Sequence, residues 1–214
     1  MTDQIVVVGA GGFGREVLDV VEAVNCSSGT KSWEVVGVLD DAPDDINMGR
    51  LASRGVRYLG GTSADVRLPA GCHYVVGIGN PRVRELVASR LNQAGLRPAT
   101  LVHPTATIGV GTQVGAGTVI CAGVRVTTNV RVGSHVHLNL NCTVGHDSTV
   151  DDFVSINPLA SVSGDCAIES GVLIGVAGVV LNGIRVGKNA TVGGAACVVK
   201  DVAAGVTVKG VPAR

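Results

Sequence analysis

An aliphatic residue recurs at every sixth position through the second half of the chain, without one omission. The seventeen members of this series are Val102, Ile108, Val114, Ile120, Val126, Val132, Leu138, Val144, Val150, Ile156, Val162, Ile168, Ile174, Val180, Val186, Val192 and Val198. Two positions before each of them, the residue is small or β-branched in nearly every case. Strands repeat every two residues and helices every 3.6, so neither keeps this phase, whereas the hexapeptides of a parallel β-helix do. The pattern therefore predicts about five to six coils with all seventeen side chains inside.

The first hundred residues follow a different rule, in which strand and helix patterns alternate. Apolar runs predict strands at residues 5–9, 34–39 and 73–78. Apolar residues at helical spacing predict helices at residues 15–24 and 82–94, the second of which stops before Gly95. Such alternation is typical of a small parallel sheet. We therefore expect an α/β, Rossmann-like half domain at residues 1–100 and an all-β domain at residues 101–214.

Composition narrows the function classes. The mean hydropathy of +0.40 is high, but the most apolar run, residues 171–181, is too short to span a bilayer and stays in phase with the repeat. The 17 basic and 17 acidic residues balance, which gives no electrostatic footprint for nucleic acid. The six cysteines show neither C-x-x-C spacing nor disulfide-scaffold density. We expect a reduced, cytoplasmic chain with no nucleic-acid or membrane partner.

Three glycines, Gly9, Gly11 and Gly14, form a G-x-G-x-x-G motif between the first predicted strand and the first predicted helix. Glycines let a ligand approach the backbone, and a helix N-terminus favours phosphate groups. A tight turn without a ligand is the alternative interpretation. Since about 100 residues supply only half of a doubly wound dinucleotide fold, we expect the site to hold a single nucleotide.

The segment VGHD places His146 and Asp147 just after the core position Val144, where the chain turns. A histidine beside a carboxylate suits general base catalysis at neutral pH, because the carboxylate stabilises the protonated imidazole. A solvated turn is the alternative. A second possibility is a metal site, because His135 and His137 are two residues apart and could share a face with histidines of adjoining subunits. It would leave the nucleotide-type first domain unexplained, so we expect no metal.

Several motifs together resemble one family across essentially the whole chain. The hexads are similar to those of the left-handed parallel β-helix acyltransferases. More narrowly, the chain resembles the sialic acid O-acetyltransferase and bacillosamine N-acetyltransferase group of sugar acetyltransferases. The motifs that carry this resemblance are GAGGFGREV (9–17), LDD (39–41), GIGN (77–80), LVHPTATIG (101–109), VGHD (144–147), DDFVSINP (151–158) and GVPAR (210–214).

The resemblance implies a role for particular residues. It implies a general base at His146 with support from Asp147, and acetyl-CoA as co-substrate of a homotrimer. Contacts to a nucleotide-linked sugar are implied at Gly11, Gly12, Phe13, Asp40, Asp41 and Gly79. Contacts to CoA are implied at Ser155, Gly164, Val176 and Gly194. The chain departs from many members of the family at Phe13 and at Ser155, where a histidine is common.

The leading hypothesis from these observations is an acetyl-CoA-dependent N-acetyltransferase that acts on a nucleotide-linked amino sugar. O-acetylation of a sugar hydroxyl uses the same base and the same thioester, so the sequence does not separate the two reactions. A third hypothesis, from another class, is a non-catalytic nucleotide-sugar-binding trimer. The VGHD segment argues against it, because a rigid coil has no packing use for a polar His-Asp pair.

Overall fold

The computed structural model describes residues 2–27, 29, 32–63 and 67–214. The chain divides into two compact units, Met1–Leu101 and Val102–Arg214. We refer to them as the α/β unit and the solenoid. Among the described residues, no helix has the length and apolar character that crossing a membrane requires.

The α/β unit contains a four-stranded parallel sheet in the order β2-β1-β3-β4. Its strands are β1 (Asp3–Val8), β2 (Trp33–Leu39), β3 (His73–Val76) and β4 (Arg97–Pro98). Its helices are α1 (Gly12–Ser27), α2 (Asp45–Ser53) and α3 (Pro81–Gln93). The apolar stretch of β1 is fully buried, as expected of a central strand in a parallel sheet. The predicted α/β part with a parallel sheet is confirmed, and α2 and β4 are elements that the pattern did not predict.

Two of the helices begin at side-chain caps. The Asp44 carboxylate accepts a hydrogen bond from the Asn47 amide at the start of α2. The Asn80 side chain accepts from the amides of Arg82 and Val83 at the start of α3, where Pro81 occupies the first turn. Caps of this kind satisfy amides that have no partner within the helix. The cap at Asn80 also fixes the chain direction just after β3.

The solenoid is a parallel β-structure of three sheets built from two-residue strands. The β5 sheet contains, in chain order, β5 (Leu101–Val102), β8 (Val119–Ile120), β11 (His137–Leu138), β14 (Ser155–Ile156), β17 (Leu173–Ile174), β20 (Thr191–Val192) and β22 (Thr207–Val208). The β6 sheet contains β6 (Thr107–Ile108), β9 (Arg125–Val126), β12 (Thr143–Val144), β15 (Ser161–Val162), β18 (Val179–Val180) and β21 (Cys197–Val198). The β7 sheet contains β7 (Gln113–Val114), β10 (Arg131–Val132), β13 (Thr149–Val150), β16 (Ala167–Ile168) and β19 (Arg185–Val186).

Strands 18 residues apart pair in register, so three hexads make one coil. Val144 pairs with Val162, for example, and Ile156 pairs with Ile174. Each aliphatic residue therefore stacks on its equivalent in the next coil. The predicted parallel β-helix, of about six coils by strand count, is confirmed.

The prediction that all seventeen aliphatic side chains lie in the core is correct for the fourteen from Ile120 to Val198, which are buried. It is wrong for the first three. Val102 and Val114 are half-buried, and Ile108 is 39% exposed. These three residues lie in β5, β6 and β7, the terminal strands of their sheets. No coil precedes these three strands, so their aliphatic side chains are covered on one side only. At the other end of the solenoid, β19 and β21 are also terminal, but the residues that follow them cover Val186 and Val198, as in the bridge between Val186 and Val202.

The turns repeat as regularly as the strands. The third residue after each aliphatic, which we call the corner position, has a left-handed backbone at every step from residue 111 to residue 195, with φ between 54° and 77°. Glycine occupies five of these corners, and the other ten hold Asn129, His135, Asn141, Asp147, Phe153, Leu159, Asp165, Ala177, Asn189 and Ala195. Left-handed backbone is uncommon outside glycine, and Asn and Asp tolerate it best. The corner is thus a fixed backbone shape whose side chain differs from coil to coil.

Candidate active site

His146 and Asp147 form a hydrogen-bonded pair at one corner of the solenoid. Asp147 occupies the corner position with φ 58°, and His146 precedes it. The imidazole Nδ1 lies 2.8 Å from the Asp147 carboxylate oxygen Oδ2. The two side chains are 52% and 47% exposed, so the pair is accessible to a substrate. A carboxylate accepts hydrogen bonds and does not donate them, so this contact places the proton on Nδ1 and leaves Nε2 able to accept one.

Asn129 holds the other oxygen of the same carboxylate. It occupies the equivalent corner of the preceding coil, and its side-chain amide donates to Asp147 Oδ1 at 3.1 Å. The hydrogen bond with His146, and next the one from Asn129, lower the pKa of Asp147 below its ordinary value. Asp147 therefore stays ionised as the imidazole partner. Sequence reasoning missed Asn129, because it precedes Asp147 by one full coil and only the 18-residue register brings the two together.

Gly164 lies against the imidazole from the next coil. A Cβ atom built at this glycine would be 2.5 Å from His146 Cε1 and Nε2. The absence of a side chain at residue 164 thus gives the imidazole its space. On the same side, the Asp165 amide donates to the His146 carbonyl oxygen at 2.8 Å. The Asp165 carboxylate lies close enough for its oxygen and the ligand atoms of His146 and Asp147 to fall within 4.8 Å of one another.

His135 and His137, the histidines considered as metal ligands, are both buried. His135 is buried at a corner, where its ring stacks on Phe153 with a centroid distance of 5.2 Å and an angle of 5°. His137 is buried in β11. In the part of the chain that the structure describes, neither belongs to a group of side chains with metal-ligand geometry. Both side chains therefore belong to the packed interior of the solenoid, whereas His146 is half-exposed.

The glycine motif of the α/β unit contains two kinds of glycine. A Cβ atom at Gly14 would overlap the carbonyl oxygen of Gly9, and one at Gly77 would lie 2.5 Å from the Gly14 Cα. These three glycines let β1, α1 and the end of β3 approach one another. At Gly11 and Gly12, by contrast, an added Cβ atom would have no atom within 4 Å beyond the adjacent residues and the backbone of its own helix. The open backbone at these two residues, at the N-terminus of α1, has the features of a phosphate-binding loop.

The two aspartates predicted as equivalent have different surroundings. Asp40 faces the glycine motif, because its carboxylate accepts from the Ala10 amide at 2.7 Å. Asp41 accepts from the amide and hydroxyl of Thr62 at 2.6 and 2.9 Å, and from Arg90 at 3.0 Å. The backbone hydrogen bond from Thr62 is the main reason why the pKa of Asp41 is lowered. Asp40 is thus the aspartate beside the open backbone, whereas Asp41 is held by its neighbours within the fold.

A buried arginine supports the loop that contains Gly79. The Arg84 side chain is fully buried, and its Nη1 donates to the carbonyl oxygens of Ile78 at 2.8 Å and Gly79 at 3.1 Å. Burial lowers the pKa of Arg84 to about 9. The sequence contained a signal for it, because Arg84 falls in helical phase with the buried residues Val87, Ala88 and Leu91 of α3. Phe13 lies in the first turn of α1 and is half-buried.

The four residues expected to contact CoA do not fall on one surface of the chain. Val176 and Gly194 are exposed at turns one coil apart, each two residues after a core aliphatic. Gly164 is buried beside His146 at a different corner of the solenoid. Ser155 is buried within β14. Within the solenoid, the structure therefore brings Gly164 to the base and puts the other three residues elsewhere.

Comparisons with known proteins agree on both parts of the chain. Residues 4–91 match the family model of the PglD N-terminal domain. GDP-perosamine N-acetyltransferase from Escherichia coli O157:H7 is 30% identical over 212 residues, which cover 96% of this chain and 93% of that protein.

Solved structures are also similar over the full length, among them the following two. WeeI from Acinetobacter baumannii AYE has a TM-score of 0.84 at 28% identity, covering 100% of this chain and 99% of that one. The acetyltransferase domain of PglB from Neisseria gonorrhoeae FA1090, in complex with acetyl coenzyme A, has a TM-score of 0.79 at 27% identity with the same coverage. The similarity thus extends across both units.

Proposed function

This chain belongs to the family of acetyl-CoA-dependent N-acetyltransferases that act on nucleotide-linked amino sugars, and we propose that His146 is its general base. The observation that carries the proposal is the 2.8 Å contact between His146 Nδ1 and Asp147. It leaves Nε2 as the proton acceptor on a half-exposed side chain. Asp147, kept ionised by its lowered pKa, stabilises the imidazolium that forms.

The proposed reaction joins a sugar amine to the acetyl group of the thioester. The neutral amine nitrogen attacks the carbonyl carbon of acetyl-CoA, and a C–N bond forms while Nε2 of His146 takes the amine proton. The tetrahedral species then collapses with cleavage of the C–S bond. The electron pair leaves on the sulfur of CoA, which takes up a proton to give the free thiol. The base thus removes the charge that would otherwise build up on nitrogen.

We propose that the nucleotide of the sugar substrate binds to the α/β unit at Gly11, Gly12, Phe13, Asp40, Asp41 and Gly79. The open backbone at Gly11 and Gly12 supports phosphate binding. The Asp40 carboxylate beside it is suited to accept hydrogen bonds from a base or ribose. For Asp41, the bonds from Thr62 and Arg90 support an indirect role, in which it shapes the wall of the site.

The CoA contacts are proposed at Ser155, Gly164, Val176 and Gly194. We further propose a homotrimer, in which one subunit supplies His146 and another supplies much of the CoA surface. Leu140, Leu159 and Val176 support the trimer, because they are exposed apolar side chains at successive turns along one side of the solenoid. Heterologous contacts that close a ring would cover them. Since acetyl-CoA is an intracellular metabolite, the proposed location is the cytoplasm.

Two measurements test these proposals. Mass spectrometry after incubation with acetyl-CoA and a panel of UDP- and GDP-linked amino sugars should show one acetyl group added to at least one sugar. The product should survive mild base, as an amide does and an ester does not. A product that loses its acetyl group in mild base would indicate O-acetylation instead. Light scattering should give the mass of three chains, and a monomer at working concentration would contradict the trimer.

A further inference from the structure

Five corner positions stack in one column on the edge of the solenoid that carries the proposed base. The column consists of Gly111, Asn129, Asp147, Asp165 and Gly183, each 18 residues from the next. All five share the left-handed backbone, with φ of 57° or 58° at the three polar residues. Side chains in this column can therefore contact one another along the solenoid axis.

Asn129 connects this column to the base. Its amide nitrogen donates to Asp147 Oδ1 at 3.1 Å, while Oδ2 of the same carboxylate lies 2.8 Å from His146 Nδ1. The two oxygens are held by different donors, so the carboxylate plane has one orientation. Without the donor at Oδ1, the half-exposed carboxylate could rotate about its side-chain bonds and release the imidazole.

We infer that Asn129 is a positioning residue for acetyl transfer, which acts by fixing the carboxylate of Asp147 and through it the imidazole of His146. The inference rests on the proposed role of His146 as the base. Asn129 itself needs no contact with either substrate.

The corner backbone alone does not account for asparagine at this position. Asn141 and Asn189 occupy the same left-handed corner elsewhere in the solenoid. Like Asn129, each lies close beneath a corner glycine of the preceding coil, with its side-chain oxygen toward that glycine. Of these three asparagines, Asn129 is the one with a carboxylate in the following coil of its column. Gly111 and Gly183 show that glycine also satisfies the corner.

The charges around the pair determine what substitutions should do. The titratable group that faces His146 and Asp147 from the following coil is Asp165, whose carboxylate is within 4.8 Å of their ligand atoms. From the preceding coil, the facing group is the neutral amide of Asn129. An aspartate at residue 129 would add negative charge and repel Asp147, and a glycine would remove the donor without adding charge.

Asn129→Gly and Asn129→Asp test the inference, because both replacements occur naturally at this corner within the same column. We expect Asn129→Gly to lower kcat by about three- to tenfold, the equivalent of one hydrogen bond. The acid limb of its kcat/KM profile should move to lower pH, because a freely rotating Asp147 stabilises the protonated imidazole less. Asn129→Asp should move that limb to higher pH. The KM for acetyl-CoA should not change in either variant.

Asn189→Gly is the matched control, because it makes the same change at the same backbone shape away from His146. It should keep the native kcat and pH profile, and thermal melting should show that all three variants fold. The inference is overturned if Asn129→Gly leaves both kcat and the acid limb unchanged, or if Asn189→Gly alters them equally. His146→Ala separates the two proposals. A native rate in that variant overturns the base and this inference together, whereas an inactive His146→Ala beside a normal Asn129→Gly overturns only the positioning role.

Discussion

The glycine motif of the α/β unit and the His146 corner of the solenoid place their proposed chemistry on very different backbones. Around Gly9, Gly14 and Gly77, backbone atoms occupy the space that side chains would need. At the corners of the solenoid, one backbone shape accepts Gly, Asn, Asp, His, Phe, Leu and Ala in turn. The first site therefore depends on residues that have no side chain, and its glycines are part of the fold. The second depends on which side chain stands on a shared backbone, so its chemistry and its stability are separable.

The substitution His146→Ala should give the largest effect and reveal this separation. We expect kcat to fall by about 10²–10⁴, the usual contribution of a positioned general base. The melting temperature should stay near the native value, because the side chain is half-exposed and outside the aliphatic stack. Steady-state kinetics and a thermal melt check both parts. A folded His146→Ala protein with the native rate would show that positioning of the amine alone suffices.

Asp147→Asn and the pH profile refine that result. Asp147→Asn should lower kcat less than His146→Ala does, because it weakens the base without removing it. The pKa of Asp147 is lowered in the folded protein, so its charge, and the support it gives the imidazole, persist until the pH falls through that lowered value. A decline of kcat/KM at low pH should therefore report protonation of the base itself and not of Asp147. In His146→Ala, the residual rate should lack this limb.

Ile156→Ala should have the reverse effect, with loss of stability before any loss of chemistry. Ile156 is fully buried in the stack, and truncation of a buried isoleucine costs about 2–5 kcal/mol of unfolding free energy. The matched control is Ile108→Ala, the same change at the same hexad position in the exposed terminal coil. It should cost much less. Equal losses in chemical denaturation would contradict the stack as the source of stability.

Gly14→Ala should destabilise the α/β unit by about 1–3 kcal/mol, because the new methyl group overlaps the Gly9 carbonyl. Binding of the nucleotide should weaken as the motif shifts. The control is Gly49→Ala, in the exposed middle of α2, where the new carbon has no atom within 4 Å beyond its own helix. That change should stabilise by about 0.5–1 kcal/mol, since alanine is the better helix former. If the denaturation curves of both variants shifted in the same direction, the difference between the packed Gly14 and the exposed Gly49 would be contradicted.

Gly164→Ala is expected to lower kcat by about tenfold, much less than His146→Ala, because the methyl group displaces the imidazole rather than removing it. The effect of Gly164→Ala on kcat should require the imidazole of His146. In a His146→Ala background, the same change should cost nothing further, and a double-mutant cycle measures this coupling. Additive losses would indicate that Gly164 acts on CoA instead.

The solenoid was largely predictable because one physical requirement repeats. A side chain that must stack on its counterpart every 18 residues leaves an uninterrupted series, and the strand positions followed from it. The same pattern did not reveal the exposure of Ile108, since a series does not show which of its coils lacks a neighbour. Nor did it reveal Asn129, whose contact with Asp147 exists only through the coil register.

The α/β unit was predictable in class but less so in detail. The strand predicted at residues 34–39 is Trp33–Leu39, and the helix predicted at 15–24 extends over Gly12–Ser27. Asp40 and Asp41 read as an equivalent pair, because a sequence does not show that Thr62 and Arg90 lie beside only one of them. The helical phase of Arg84 indicated its burial, but not its partners, which are backbone carbonyls.

The regular register of the coils gives the solenoid the properties of a ruler. Neighbouring strands of a sheet lie about 4.8 Å apart, so a side chain moved by one coil changes its height by that amount. The next coil already offers Gly164 and Asp165 at the positions equivalent to His146 and Asp147. An exchange of His146 and Gly164 would rebuild the histidine-aspartate pair one coil further along the solenoid axis. A displacement of about 4.8 Å exceeds the roughly 3–3.5 Å within which reacting atoms must meet. The fold therefore allows the base only positions that are one coil apart along the axis.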